Sequence, residues 1–278
     1  MKLKTVCLVF ILFIGSGVQS QIIDGFVDDE SMLYAHTKQV NQFFRRFNGE
    51  EDRYGRRLSI DDPLLNNQEY RKEFISILFD QESSIINASL KTEFINDVVD
   101  INQPHLLDFH GGKWFAQVKT LFSYKGKDKE CTLFLKLQEE AIGSKWVITN
   151  VLFEPFSAYF VKTDSLDESQ QKFLHPMSHE LDFMNLIKVF RQDQIIEQYA
   201  ERDYNPDYLS IFIYEFRKGN LQFKNILEVK FHLFQIENWY LELSEFNRKS
   251  NNSGWLISNL LKISEADKAL LKKFIYQN

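Results

Sequence analysis

Cysteine is nearly missing from this chain, with two in 278 residues, Cys7 and Cys131. Cys7 falls inside an N-terminal apolar run, so a processed chain keeps Cys131 alone and can form no intramolecular disulfide. Cys131 sits in the strand-like run 131–137 and reads as a small core hydrophobe, because no basic partner for a thiolate is in view. Proline (5) and glycine (11) are also scarce, which disfavours a loop-rich architecture. No Lys/Arg block occurs and the formal net charge is −6. That excludes nucleic acid as a partner, since phosphate binding needs clustered cations. The sequence holds no Gly-rich phosphate loop, no Gly-x-Ser-x-Gly elbow, no His-Glu-x-x-His and no Cys-x-x-Cys. The acidic clusters Asp28-Asp29-Glu30 and Glu50-Glu51-Asp52 lack the alternating ligands of a calcium loop and read as solvated. No cofactor and no metal are expected.

Aromatics are abundant, with 26 Phe and 11 Tyr, and 44% of residues are hydrophobic against 26% charged. These are the proportions of a globular protein with a large core. At the N-terminus, Lys2 and Lys4 precede an unbroken apolar run at 6–14, and Val18-Gln19-Ser20 fits a signal-peptidase site. The expectation is an export signal over residues 1–20, cleaved after Ser20. The run is too short to span a bilayer, so no transmembrane segment is expected once it is removed. Loss of Lys2 and Lys4 takes the net charge from −6 to −8. An exported chain without disulfides must be held by its core, which suits a bacterial periplasm or cell surface better than a eukaryotic secretory product. Asn87-Ala88-Ser89 and Asn251-Asn252-Ser253 match the glycosylation pattern, which has meaning only in the latter setting.

The chain repeats itself. Trp-Val-Ile-Thr-Asn-Val-Leu at 146–152 returns as Trp-Leu-Ile-Ser-Asn-Leu-Leu at 255–261. Upstream, Val-Lys-Thr-Leu-Phe at 118–122 is echoed by Val-Lys-Phe-His-Leu-Phe at 229–234. In the first half, helical spacing predicts a helix from Met32 to Phe47, a second opened by Asn66-Asn67-Gln68-Glu69, and a third over 89–99. Residues 48–66 read as a charged surface loop. The period then changes to two, giving strands at 114–124, 130–139 and 145–153. The second half shows a helix face at Leu181, Met184, Ile187 and Phe190, a short helix near Tyr199, and strands at 208–216, 229–236, 239–246 and 255–263. The fold class is therefore α+β: a helix-then-meander unit used twice, with helices packed on a curved antiparallel sheet. The expected organisation is a first domain over 21–157, a connector over 158–177 and a second, shorter domain over 178–278.

Each unit ends on a strand opening Gly-x-x-Trp (143–146) or Gly-Trp (254–255) and running apolar. Those residues resemble the nuclear transport factor 2-like, cystatin-superfamily cone fold, over about residues 30–156 and more loosely 178–263, where helix is short. The resemblance implies a conical pocket between helices and bent sheet, and no particular reaction.

His105, Asp108 and His110, followed by Gly111-Gly112, are the candidates for chemistry, because imidazole and carboxylate at this spacing suit a general base or a zinc ligand. On an extended strand His105 and His110 face opposite sides, so they need a turn to converge. His175 and His179 resemble a metal pair, but Pro176 prevents the helix that would align them, and Ser178 reads as a helix cap. Trp114, Trp239 and Tyr240 are candidates for ligand contact. Trp146 and Trp255 read instead as anchors, each packed against the helices of its own unit.

The leading expectation is an exported, non-catalytic binding or interaction protein, taking an unknown small molecule or an envelope protein. A pocket hydrolase or isomerase using an Asp/His pair is the alternative, and a structural component of an envelope assembly is another. The run 208–216, apolar on both faces, needs cover from the other unit, a homodimer partner or a ligand.

Overall fold

Two asparagines set the starts of two helices. Asn67 Oδ1 accepts the Tyr70 N–H at 2.9 Å and Asn87 Oδ1 accepts the Leu90 N–H at 2.7 Å, satisfying donors that a helix start leaves orphaned. A computed structural model describes residues 39–52, 54–65, 67–141, 143–159, 207–249 and 252–276. Helix α1 spans Val40–Phe47, α2 Gln68–Ile77 and α3 Ala88–Val98. Residues 32–38, expected to begin α1, lie outside the described residues. Helix α1 stops at Asn48, and Gly49 follows with φ +72°, a conformation that costs glycine little. Buried Phe43, Phe44, Phe47, Ile75, Phe94 and Val98 are among the helices' contribution to the main core.

Strands β1 (Trp114–Tyr124), β2 (Lys127–Glu140) and β3 (Gly143–Leu152) form one antiparallel meander. Lys125 (φ 50°) and Gly126 (φ 79°) make the first turn, and two successive positive φ values match the twist of a two-residue hairpin. Strands β4 (Leu221–Leu233), β5 (Trp239–Phe246) and β6 (Gly254–Lys262) form a second meander. The two meanders join: β1 pairs antiparallel with β4 from Trp114↔Leu233 to Tyr124↔Leu221, with irregularities after Lys119 and Leu121. The protein is thus α+β with one open six-stranded antiparallel sheet, in the order β3-β2-β1-β4-β5-β6.

Helices α1–α3 cover the inner face, meeting Trp114, Ala116, Phe231, Leu241, Leu243 and Ile257. Farther along β1 the residues of the same alternation, Phe122 and Tyr124, pack with Cys131, Val151, Phe153, Phe156 and Phe212. The two edges differ. At β6, Ile257 N–H donates to Leu78 O at 2.8 Å and Asp80 N–H donates to Ile257 O at 3.1 Å, so the chain leaving α2 bridges that edge at one residue. Among the described residues β3 pairs with β2 alone.

Three expectations need correction. Residues 208–216 are not a strand: α4 spans Tyr208–Arg217, with the Asp207 carboxylate accepting the N–H groups of Leu209 and Ser210, and Gly219 (φ 76°) following its end. A short run apolar on every side fits helix or strand, and the Asp207 cap and the glycine decide it. The strand β4 therefore begins at Leu221 rather than at Val229. A terminal helix, α5 (Glu265–Tyr276), covers part of the outer face through Tyr276 beside Phe115, Phe134, Phe234 and Tyr240. Its opening is capped by Ser264 Oγ, which accepts the Asp267 N–H at 3.1 Å. The 48–66 stretch is only partly solvated: Glu51 is fully buried and bridges backbone-to-backbone with Arg57. The helix expected near Leu181 and both His175 and His179 lie outside the described residues.

Candidate functional site

The segment 106–112 enters β1 without a ladder of its own, and two side-chain amides hold it. Asn48 receives the Leu107 N–H at 2.9 Å and donates to Leu107 O at 2.8 Å, an exchange that imitates a strand pair. Gln235 receives the Asp108 N–H at 2.8 Å and donates to the carbonyls of Asp108 and Gly112. Asp108 Oδ1 accepts the His110 N–H at 2.8 Å, closing a local turn. Gly111 is required there, since a Cβ would stand 2.8 Å from Asp108 Cβ.

Between this segment and α1 lies a cleft of about 510 Å³. Asn41, Phe44 and Arg45 of α1 line one side, Asp108 and His110 the other, and Arg57 of the loop after α1 joins the lining. On the Asn41 side of the lining, the Oδ1 atom is shielded from water and accepts no hydrogen bond. Beneath it, buried Glu51 accepts from Arg45 and pairs with buried Arg46 at 3.4 Å. Arg57, on the same lining, is exposed.

Asp108 and His110 share this cleft, but their side chains do not pair. The Asp108 carboxylate is occupied by the turn, while the half-exposed His110 ring meets Ser144 Oγ at 3.1 Å and Glu139 Oε1 at 3.8 Å. His105 is placed elsewhere. Its carbonyl accepts from Arg71, and its side chain lines a separate cleft of about 270 Å³ with Asp97, Asp100 and Trp239. Among the described residues no three His, Cys, Asp or Glu gather as metal ligands.

No family model matches this chain, and no curated protein and no solved structure does either. What the site can do rests on its geometry.

The aromatic candidates are buried. Trp114 gives its indole N–H to Phe109 O at 3.0 Å and packs on Phe44, Phe109, Trp146 and Phe231. Trp239 gives its N–H to Asp97 Oδ2 at 3.1 Å and meets Phe94 edge-on. Tyr240 lies on the outer face, where its hydroxyl meets His232 Nδ1 at 2.7 Å and Glu242 Oε2 at 3.4 Å. Trp146 and Trp255 do not each stay with the helices of one unit, since both pack on Phe231.

Sequence reasoning missed Asn41, Asn48, Gln235 and His232. Asn48 stands just past a helix end and Gln235 just past a strand end, which were available signals. Their partners 59 and 127 residues away were not.

Proposed function

We propose that this chain is an exported, non-catalytic binding protein, assembled from two cone-like helix-then-meander units, that takes a small polar ligand in the cleft between α1 and residues 106–110. The observation that carries this reading is the pairing pattern at Asp108. Its carboxylate braces the turn through the His110 N–H, and the His110 ring points its Nδ1 to Ser144, so the two are arranged as walls and not as an acid–base couple. Asn41, on the lining, has an unpaired Oδ1 that a turn of its side chain would present to a ligand donor, and exposed Arg57 supplies charge. The volume is within the range of small-molecule sites.

Thermal-shift screening of polar metabolites tests it. A hit is expected to lose its effect in Asn41→Leu and to weaken in Arg57→Ala. A turnover abolished by Asp108→Ala would overturn the reading in favour of the pocket hydrolase or isomerase.

A second reading, a component of an envelope assembly, draws support from Ile213, Phe216, Phe223 and Ile226. Each is about half exposed, at 45, 51, 52 and 56%, on or beside α4. A single monomeric species in size exclusion at high concentration counts against it.

A further inference from the structure

The outer face of the sheet carries a second polar array, remote in character from the α1 cleft. His232 on β4, Glu242 on β5 and Asn259 on β6 are successive cross-strand partners, so their side chains rise in one row. Tyr240 and Gln117 flank the row and close a hydrogen-bond chain through the buried imidazole. His232 Nε2 lies 2.7 Å from Gln117 Oε1, and His232 Nδ1 lies 2.7 Å from Tyr240 Oη.

The direction of that chain follows from the groups. Burial, with Lys230 adding to it, holds His232 far below its ordinary range, at about 3, so the ring is neutral and carries one N–H. Gln117 Oε1 can only accept, so the proton is on Nε2. Nδ1 is then an acceptor, and the single Tyr240 hydroxyl proton stands between two acceptors, His232 Nδ1 at 2.7 Å and Glu242 Oε2 at 3.4 Å. Gln117 is thereby held with its amide N–H groups turned away from the imidazole and available to donate. Asn259 makes no side-chain hydrogen bond among the described residues, so its amide offers both. Glu242 offers an acceptor whose charge Lys230 offsets at 3.2 Å.

These groups floor a cleft of about 290 Å³. Its rim is apolar, formed by Leu261 of β6 and by Leu271, Phe274 and Ile275 of α5. Phe274 is 77% exposed, an aromatic ring standing at the rim on a helix whose other face is docked. A buried His–Tyr–Gln chain is a costly way to fill space that leucine would fill well, and what it secures is the orientation of donors and acceptors.

We propose that this outer-face cleft binds a neutral polyhydroxylated ring, a saccharide unit. Hydroxyls donate and accept at once, as the mixed floor requires. The C–H face of a sugar ring suits the Phe274 and Leu261 wall. An ionic ligand is disfavoured, since the carboxylate and the ammonium already neutralise one another.

Isothermal titration of the full chain with glucose, galactose, N-acetylglucosamine and maltose tests the proposal. Saturable binding of at least one is expected. Asn259→Leu and Gln117→Leu should each weaken it about tenfold or more, as loss of a specific hydrogen bond does. Phe274→Ala should weaken it as well, and its exposure makes misfolding no explanation. Asn41→Leu in the α1 cleft should leave it unchanged, so the two sites fail independently. If Gln117→Leu does not fold, Asn259→Leu and Phe274→Ala decide the matter. No saturable binding of any of the four sugars, or binding untouched by Asn259→Leu and Phe274→Ala, overturns the proposal.

Discussion

Trp146 and Trp255, 109 positions apart and each near the start of its meander's last strand, pack on one ring. Phe231 stacks against Trp146 at 5.9 Å between centroids and meets Trp255 at 4.6 Å. Phe231 is on β4 opposite Ala116 of β1, so the contact lies at the seam between the meanders.

Phe231→Ala is expected to cost about 3–5 kcal/mol, the usual loss for emptying a buried phenylalanine site. Urea denaturation measures it. Because one ring serves both halves, the loss should appear in a single transition, with red-shifted tryptophan emission in the native baseline. Two separable transitions would show that the seam does not couple the halves.

Asn252 ties α2 to the sheet. Its amide donates to the carbonyls of Ile77 and Phe79 at 3.1 and 2.9 Å, and its oxygen accepts the Gln81 N–H at 2.9 Å. The side chain is buried, so Asn252→Ala strands these groups and should cost about 2–4 kcal/mol. Asn252→Asp should be no better, since a carboxylate cannot donate to the two carbonyls. Chemical denaturation of both variants checks the pair.

His232 links stability to pH. Its folded value, about 3, lies below the ordinary 6.5, so below 6.5 the unfolded chain takes up a proton that the native chain refuses. Stability from this group is whole above pH 6.5 and falls as pH drops toward 3, by up to about 1.4 kcal/mol per unit. Between about pH 7 and about pH 5 the wild type should lose roughly 2 kcal/mol more than His232→Gln. Equal losses in urea titrations at the two pH values would show that the imidazole is not desolvated.

Cys131 is buried and its thiol is pushed up to about 12 by desolvation. Negligible thiolate exists at neutral pH, so a thiol reagent should modify the native protein only through unfolding. Labelling is expected to be slow in buffer and complete within minutes in denaturant. Rapid native labelling would place the thiol in reach of solvent.

The first three helices and β1–β3 were legible because local signals agreed: asparagine caps at 67 and 87, an apolar period near 3.6, then a period of two. Helix α4 was not, because 208–216 carries apolar residues at both periods, and only Asp207 and Gly219 distinguish them. Helix α5 was overlooked although Ser264 and Asp267 form a start signal. The junction of β1 with β4 had no local trace, since strand order depends on which edges meet and not on the pattern along either. In the α1 cleft, Asp108 and His110 were legible as a pair of residue types. The amides of Asn48 and Gln235 that shape their segment act from distant parts of the chain, and a lone histidine in an apolar strand, such as His232, gives no signal of its own.

The unequal edges of the sheet limit how copies of this chain can associate through it. Among the described residues, Leu78 and Asp80 occupy β6 at Ile257 while β3 has β2 as its one strand partner, so the two edges meet an incoming strand on unequal terms. A strand added at β6 would first have to displace the two backbone hydrogen bonds at Ile257, which disfavours edge-to-edge growth from that side.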